Sequence, residues 1–312
     1  MSLREVRVAA FHFWNSFRAE ELTARFPSLA RKYRIVADQE RPHIALFSVF
    51  KNGRMTQMPP PPDIGVPTIF LTGEDVTPNM RRCDAAISFR HDISSPRHMR
   101  IPNWVQRMNL TGVSPRSLLS AQRPPVSRGD RFCLFLYTHR VALREAFCRR
   151  LAERCPVDAP GRSLNNMPAI GSGIGDKLAL QSRYRFTIAF ENASSPGYTT
   201  EKIVESFCAG SLPIYWGDPL VHRDFNRDAF LNLADFPSQD ALVETVLTLD
   251  ADERSWRDRM QQPVYAGDRL PDCADDDRIF AFLEPIFDAA LAGRRRGRVG
   301  KLLQRLKRRV QG

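Results

Sequence analysis

A chain of 312 residues with 43% hydrophobic and 26% charged side chains and a net charge of +11 is not a disordered, fibrous or disulfide-stapled sequence. At roughly 100 to 200 residues per domain, the length calls for two domains, each with its own core. The longest apolar stretches, such as Val8 to Phe11 and Ile44 to Phe47, fall far short of the roughly 20 residues that span a bilayer.

From the N-terminus, Arg4, Glu5 and Arg7 follow Met1, and His12 interrupts the next apolar residues, so no signal-peptide core is expected and the chain is expected to start in the cytoplasm. Short β-rich runs at Val6 to Phe11, His43 to Phe50, Thr68 to Thr72 and Ala85 to Phe89 are bounded by Pro, Gly or charged residues and predict buried strands. Between the first two, Leu22, Phe26, Leu29 and Tyr33 recur at helical spacing and predict a crossover helix over Ala19 to Tyr33. Pro115, Pro124, Pro125 and Gly129 mark Ser114 to Asp130 as a linker. The pattern then restarts with a strand at Phe132 to Tyr137, a helix at Ala142 to Arg154, and strands at Phe186 to Phe190, Leu212 to Trp216 and Phe230 to Leu233. Two successive strand-helix-strand domains predict an α/β fold of two doubly wound parallel sheets, with ligands at the carboxyl ends of the strands.

The chemistry is concentrated in FTIAFENASSPGYTTEKIVESFCAGSLPIYWGDP, Phe186 to Pro219, where a strand empties into a polar turn, a helix starts, and a second strand ends in Trp-Gly-Asp-Pro. Thr199 or Thr200 can cap that helix, and Gly210 lies where it should stop. Lys202 in the first turn runs against the helix dipole, a conflict that a bound phosphate would relieve. Glu201 offers an acceptor for ribose or sugar hydroxyls, Tyr198 a flat face with a hydroxyl tip, and Glu191 either binds sugar or holds the loop through backbone hydrogen bonds.

This segment resembles the signature of the inverting α-1,3/1,4-fucosyltransferases, which use GDP-fucose. Their F-E-N, G-Y-x-T-E-K and P-x-Y-W-G are similar to Phe190-Glu191-Asn192, Gly197 to Lys202 and Pro213 to Gly217 here. Upstream, Thr72-Gly73-Glu74-Asp75 followed by Pro78-Asn79 is similar to the family's T-G-E-N and P-N, with Asp75 replacing the usual Asn. Leu143-Arg144-Glu145 stands where the family has an arginine on the donor diphosphate. The resemblance implies a GT-B-like fold of two Rossmann-like domains facing across a cleft: an acceptor-binding domain over 1–122, a GDP-fucose-binding domain over 123–285 and a basic tail over 286–312. It implies Glu74 as catalytic base, Arg144, Asn192, Tyr198, Glu201 and Lys202 as donor-binding residues, and Glu191 as site-lining. GDP-L-fucose would be a co-substrate, the acceptor a galactoside- or N-acetylglucosamine-containing glycan such as a lipopolysaccharide, and the product an α-fucoside formed with inversion.

No metal requirement is expected, because Arg144 and Lys202 supply the electrostatics a metal would, and Asp275-Asp276-Asp277 is expected to be a solvated turn or helix start. Gly171 to Gly175 lacks the dinucleotide-fingerprint spacing and predicts a loop. The six cysteines show no C-x-x-C pair and are expected to be reduced core residues.

The charge is uneven: residues 289–312 hold nine basic side chains and no acidic one, leaving +2 for the rest. No nucleic acid is therefore expected as partner of the folded part. Leu302, Leu303, Leu306 and Val310 form one helical stripe from Val299 onward, with Lys and Arg on the other faces. Residues 294–312 are thus expected to attach the protein peripherally to the anionic inner face of the cytoplasmic membrane. A competing reading is a degenerate glycosyltransferase fold that binds membrane or nucleic acid through this tail, against which stands the joint retention of Glu74, Arg144 and Lys202.

Overall fold

The computed structural model describes residues 2–51, 53–171, 173–297, 300 and 303. They form two compact units, one of Met1–Ser114 with Asp272–Gly312, the other Pro115–Pro271.

In the first unit the strands are β1 (Arg4–Phe11), β2 (Tyr33–Ala37), β3 (Ile44–Phe47), the short ribbon β4 (Phe50–Lys51) and β5 (Arg54–Met55), then β6 (Thr68–Leu71), β7 (Ala85–Ser88) and β8 (His98–Arg100). Six of them make a wholly parallel sheet in the order β2-β1-β3-β6-β7-β8. β3, β6 and β7 are buried at every position, which is why they read as continuous apolar runs rather than alternating ones.

The helix expected over Ala19 to Tyr33 is broken. It begins as α1 (Glu21–Arg25), turns at Phe26 into a 3-10 turn at Pro27–Arg31, and Tyr33 opens β2. Pro27 lacks an N–H and disfavours helical backbone in the residue before it. The apolar stripe still serves its purpose, for Leu22, Phe26, Leu29 and Tyr33 are all buried. A second helix, α2 (Asn103–Leu110), follows β8.

The second unit carries β9 (Arg131–Leu134), α3 (Ala142–Ala152), β10 (Val157–Asp158), α4 (Ile174–Gln181), β11 (Tyr184–Phe190), α5 (Glu201–Cys208), β12 (Leu212–Trp216), β13 (Leu231–Asn232), α6 (Gln239–Ala251) and α7 (Glu253–Met260). Its five-stranded parallel sheet has the order β10-β9-β11-β12-β13. Phe132, Phe186, Ile188, Leu212 and Ile214 pack in its core with Phe147 and Leu151 of α3 and Trp256 of α7. Both halves are thus parallel α/β, as the alternating pattern predicts.

The unit boundaries differ from the expected ones. The break falls at Ser114 rather than after residue 122, so the Pro-rich segment belongs to the second unit, where Arg123 donates to the Met260 carbonyl at 2.8 Å and the Tyr265 hydroxyl to the Pro115 carbonyl at 2.9 Å. The chain rejoins the first unit at Asp272 rather than leaving a third segment after residue 285, because α8 (Asp276–Leu291) buries Ile279, Leu283, Ile286 and Phe287 there. α8 also pairs with the start of β2: Lys32, just before the strand, places Nζ 2.7 Å from Glu284 and 2.8 Å from Asp288, and the Tyr33 hydroxyl donates to Asp288 at 2.8 Å. The acidic run at 275–277 starts this helix, with Asp275 accepting from the N–H groups of Asp277 and Arg278 at 3.0 Å.

All six cysteines are free, and Cys83, Cys133, Cys148 and Cys273 are buried. No helix among the described residues is long and apolar enough to cross a membrane. The expected amphipathic tail helix lies outside the described residues apart from Gly300 and the buried Leu303.

Candidate functional site

In the second unit the chain lays β10 on one side of β9 and β11 on the other, so the order reverses between β9 and β11. Helices at such a point diverge to opposite faces of the sheet and leave a crevice beyond the strand ends. A cavity of about 430 Å³ opens there. Its lining includes Tyr137 and His139 after β9, Arg144 of α3, Lys177 and Gln181 of α4, Asn192 after β11, and Glu201, Lys202 and Glu205 of α5. A ligand pocket typically holds about 300–1,000 Å³.

Three cations stand on its wall, Arg144, Lys177 and Lys202. Arg144 sits in the first helical turn after the β9 loop and donates to the carbonyls of His139 (2.6 Å) and Phe190 (3.2 Å) and to Asn192 Oδ1 (3.0 Å). Its guanidinium lies 3.7 Å from the centroid of the Tyr137 ring, whose hydroxyl donates in turn to the Ile188 carbonyl at 2.6 Å. Each member of this chain holds the next, so the charge is presented in one orientation.

Lys202 is held by Glu191. That carboxylate is fully buried and accepts from the Thr200 N–H and hydroxyl at 2.7 Å each and from Lys202 Nζ at 3.0 Å. The ammonium also donates to Thr200 Oγ1 at 2.7 Å and lies 3.6 Å from Glu201. Burial opposes the charged lysine, but the charges of Glu191 and Glu201 outweigh it and hold the group above its ordinary pKa. Burial pushes the Glu191 carboxyl upward while Lys202 and the Thr200 donors act against that push. The unfavourable placement of a lysine at a helix N-terminus is therefore compensated from within the protein.

These contacts revise part of the expected site. Thr200 is the N-cap of α5 by position, yet its side chain makes no capping bond and goes to Glu191 instead. Glu191 does not line the cavity; it stands behind Lys202 and holds the loop, the second of its two sequence readings. Tyr198 is also buried, at 4% exposure, and is absent from the cavity wall. Arg144, Asn192, Glu201 and Lys202 are brought together. Glu74 belongs to the first unit, in the turn after β6, half-buried, with its N–H on Thr72 Oγ1 at 3.0 Å. The neighbouring Gly73 is pressed against Asn103 at the start of α2, where a Cβ would lie 2.4 Å from the amide nitrogen.

The Trp-Gly-Asp-Pro turn after β12 locks the loop that precedes α5. Asp218 accepts from the N–H groups of Gly197 and Leu220 at 2.7 Å and from Thr199 Oγ1 at 2.9 Å, and Ser194 donates to the Gly217 carbonyl at 2.7 Å. Gly217 packs so closely on Glu191 that a Cβ would lie 2.5 Å from its Cγ. Gly217→Ala should therefore displace the carboxylate that holds Lys202. The expected result is a loss of about 1–3 kcal/mol in a denaturant titration together with weakened ligand binding; an alanine variant matching the parent in both would remove Gly217 from this arrangement.

Sequence reasoning missed Tyr137, His139, Lys177, Gln181 and Glu205. Lys177 pairs with Glu205, and Gln181 donates to Ser206 at 3.4 Å, which joins α4 to α5 along the cavity. The available signal was the one-turn spacing of Lys177 and Gln181, which puts both on one face of the helix. Among the described residues no group of three or more His, Cys, Asp or Glu is placed to hold a metal ion.

Two family models match the chain: "Glycosyltransferase family 10 (fucosyltransferase) C-term" over residues 134–261, and "Alpha-(1,3)-fucosyltransferase FucT N-terminal domain" over residues 8–106. The chain is 28% identical over 226 residues to Alpha-(1,3)-fucosyltransferase FucT of Helicobacter pylori, covering 62% of this chain and 46% of that protein. It is 30% identical over 143 residues to Alpha-(1,3)-fucosyltransferase 4 of Homo sapiens, covering 44% of this chain and 26% of that one. It thus spans less than half the length of these relatives. A crystal structure of an alpha1,3-fucosyltransferase with GDP-fucose superposes with a TM-score of 0.72 at 22% identity, over 92% of this chain and 91% of that one, a likeness of fold.

Proposed function

The chain belongs to glycosyltransferase family 10, the fucosyltransferases, and from that membership we propose that it transfers L-fucose from GDP-L-fucose to a glycan hydroxyl with inversion, forming an α-1,3 or α-1,4 fucoside. The observation that carries this reading is the convergence of Arg144, Asn192, Glu201 and Lys202 on one cavity at the strand-order reversal of the second unit.

In this reading the donor pyrophosphate lies against Lys202 and Arg144. As the bond to fucose breaks, the departing phosphate gains charge, and cations already fixed by Glu191, Asn192 and backbone carbonyls stabilise it without reorganising. Glu201 accepts from sugar hydroxyls, and Tyr198 supports the loop rather than touching the donor. Arg144 and Lys202 supply the charge that a divalent ion would otherwise supply, so transfer should proceed in the presence of chelator. Glu74 takes the acceptor proton as the new bond forms, because displacement with inversion needs a base opposite the leaving group.

The acceptor is a galactoside- or N-acetylglucosamine-containing glycan, with lipopolysaccharide suited to a cytoplasmic enzyme held peripherally at the membrane through residues 294–312. Phe13 and Trp14, half-buried just past β1, give the first unit a surface on which a sugar ring can stack. Trp14→Ala should raise the acceptor KM about 2- to 10-fold and leave the donor KM unchanged; an equal rise in both would remove the acceptor role. The reading as a whole is tested by mass-spectrometric product analysis with a panel of GDP-sugars and lactose-type acceptors. A hexose transferred in preference to deoxyhexose, or no transfer from any GDP-sugar, would overturn it.

A further inference from the structure

The first unit holds a second cavity, about 300 Å³, lined by Arg81, Arg82, Cys83, Asp84, Arg97, Arg296, Gly297 and Gly300. From it we infer a phosphate-binding site that is separate from the donor pocket.

Four guanidinium groups surround one small space. Arg81, Arg82 and Arg296 are exposed, and Arg97 is half-buried. The one carboxylate in the lining, Asp84, is buried and turned toward backbone: it accepts from the Thr68 N–H (3.0 Å), the Thr68 hydroxyl (3.2 Å) and the Gly297 N–H (2.7 Å). Arg296 lies 3.8 Å from Asp63, a residue 96% exposed, where solvent screens the pair. The remaining anchors are neutral: Arg82 donates to the Met58 carbonyl at 3.2 Å and Arg97 to the Cys83 carbonyl at 2.9 Å. Arg82 and Arg97 are held in place by these bonds, and the lining sets four arginines against a single carboxylate, an excess of positive charge. A tetrahedral oxyanion relieves it, since planar guanidinium forks match phosphate oxygens two at a time.

The backbone is shaped to bring these groups together. Cys83 and Asp84 precede β7 and Arg97 precedes β8, so the cavity lies at the amino ends of these strands, at the opposite end of the parallel sheet from the turn after β6 that holds Glu74. Arg296 is delivered by the returning C-terminal segment, tied by its N–H to the Gly65 carbonyl at 3.2 Å. Gly300 completes the approach, for a Cβ there would lie 2.9 Å from Arg97 Cδ. The ligand class is a phosphate group with at least two free oxygens, supplied either by a free phosphate ester or by an anionic phospholipid headgroup.

The test titrates inorganic phosphate calorimetrically into the full chain and into the full chain with Arg81→Gln and Arg296→Gln added; phosphate taken by the donor pocket is common to both and cancels in the comparison. Both added changes are at exposed side chains, and matching thermal melts establish that the fold is retained. The expected result is a saturable site whose affinity falls about tenfold or more in the chain with the added glutamines and declines with salt. A parallel arm sediments both chains with phosphatidylglycerol and with phosphatidylcholine vesicles. A loss confined to phosphatidylglycerol, reproduced in the parent by added phosphate, assigns the headgroup; unchanged sedimentation beside a lost phosphate titration assigns the free ester. If the chain with the added glutamines equals its parent in both arms, the site does not exist. The result does not depend on which sugar nucleotide the second unit takes.

Discussion

Replacing Lys202 by methionine should lower kcat/KM for the sugar nucleotide about 100-fold or more, read as the initial rate of transfer. The same change should destabilise the protein, because the ammonium has a second task. It lies 3.0 Å from Glu191, a carboxylate with no exposed surface, and removing one member of a buried ion pair typically costs about 3–5 kcal/mol. The two effects can be separated by pH and by a second substitution. With Lys202 gone, burial acts on Glu191 without its main opponent, and the carboxyl rises further above its ordinary 4.5. A group whose pKa is raised on folding favours the fold while protonated and ceases to do so as pH rises through the folded value. The Lys202→Met protein should therefore be at its best in acid and lose stability as pH climbs above about 4.5, opposite to a protein that relies on ionised carboxylates. Adding Glu191→Gln should flatten that dependence and restore most of the stability while leaving transfer slow. Recovery of activity along with stability would mean that Lys202 acts only through the fold.

The part of the candidate site built from β11, α5 and β12 was legible because it is contiguous, whereas Arg144, far upstream on α3, was legible only through the family resemblance. Glu191, Asn192, Glu201, Lys202 and the Trp-Gly-Asp-Pro turn lie at the carboxyl ends of two adjacent strands and the helix between them, so neighbours in sequence are neighbours in space. What stayed hidden depends on packing between distant segments. That Glu191 faces inward follows from the close approach of Gly217, which no local pattern reports. Lys177 and Glu205 meet only because α4 lies against α5. The return of α8 rests on Lys32 and Tyr33 meeting Glu284 and Asp288 at the far end of the sequence, a match invisible in either helix or strand taken alone. The broken helix after β1 had a visible cause in Pro27, which outranked the apolar periodicity that predicted one long helix.

Glu74→Gln should reduce kcat by about 100- to 10,000-fold while leaving the donor KM near its original value, because general base catalysis contributes on that scale and the pocket residues all lie in the other unit. Glutamine keeps the size and the backbone bond from residue 74 to Thr72, so the turn after β6 should persist, as an unchanged thermal melt would verify. The diagnostic measurement is the pH dependence of kcat. If Glu74 takes the acceptor proton, the decline of rate toward acid in the parent should disappear in the variant, leaving a low, flat profile. The neighbouring Asp75 separates base from turn: Asp75→Asn removes a charge beside Glu74 but no proton acceptor from the reaction, so it should leave kcat within about tenfold and retain the acid limb. A Glu74→Gln protein that keeps both rate and acid limb would move the base elsewhere; loss of the limb in Asp75→Asn instead would move it to the adjacent residue.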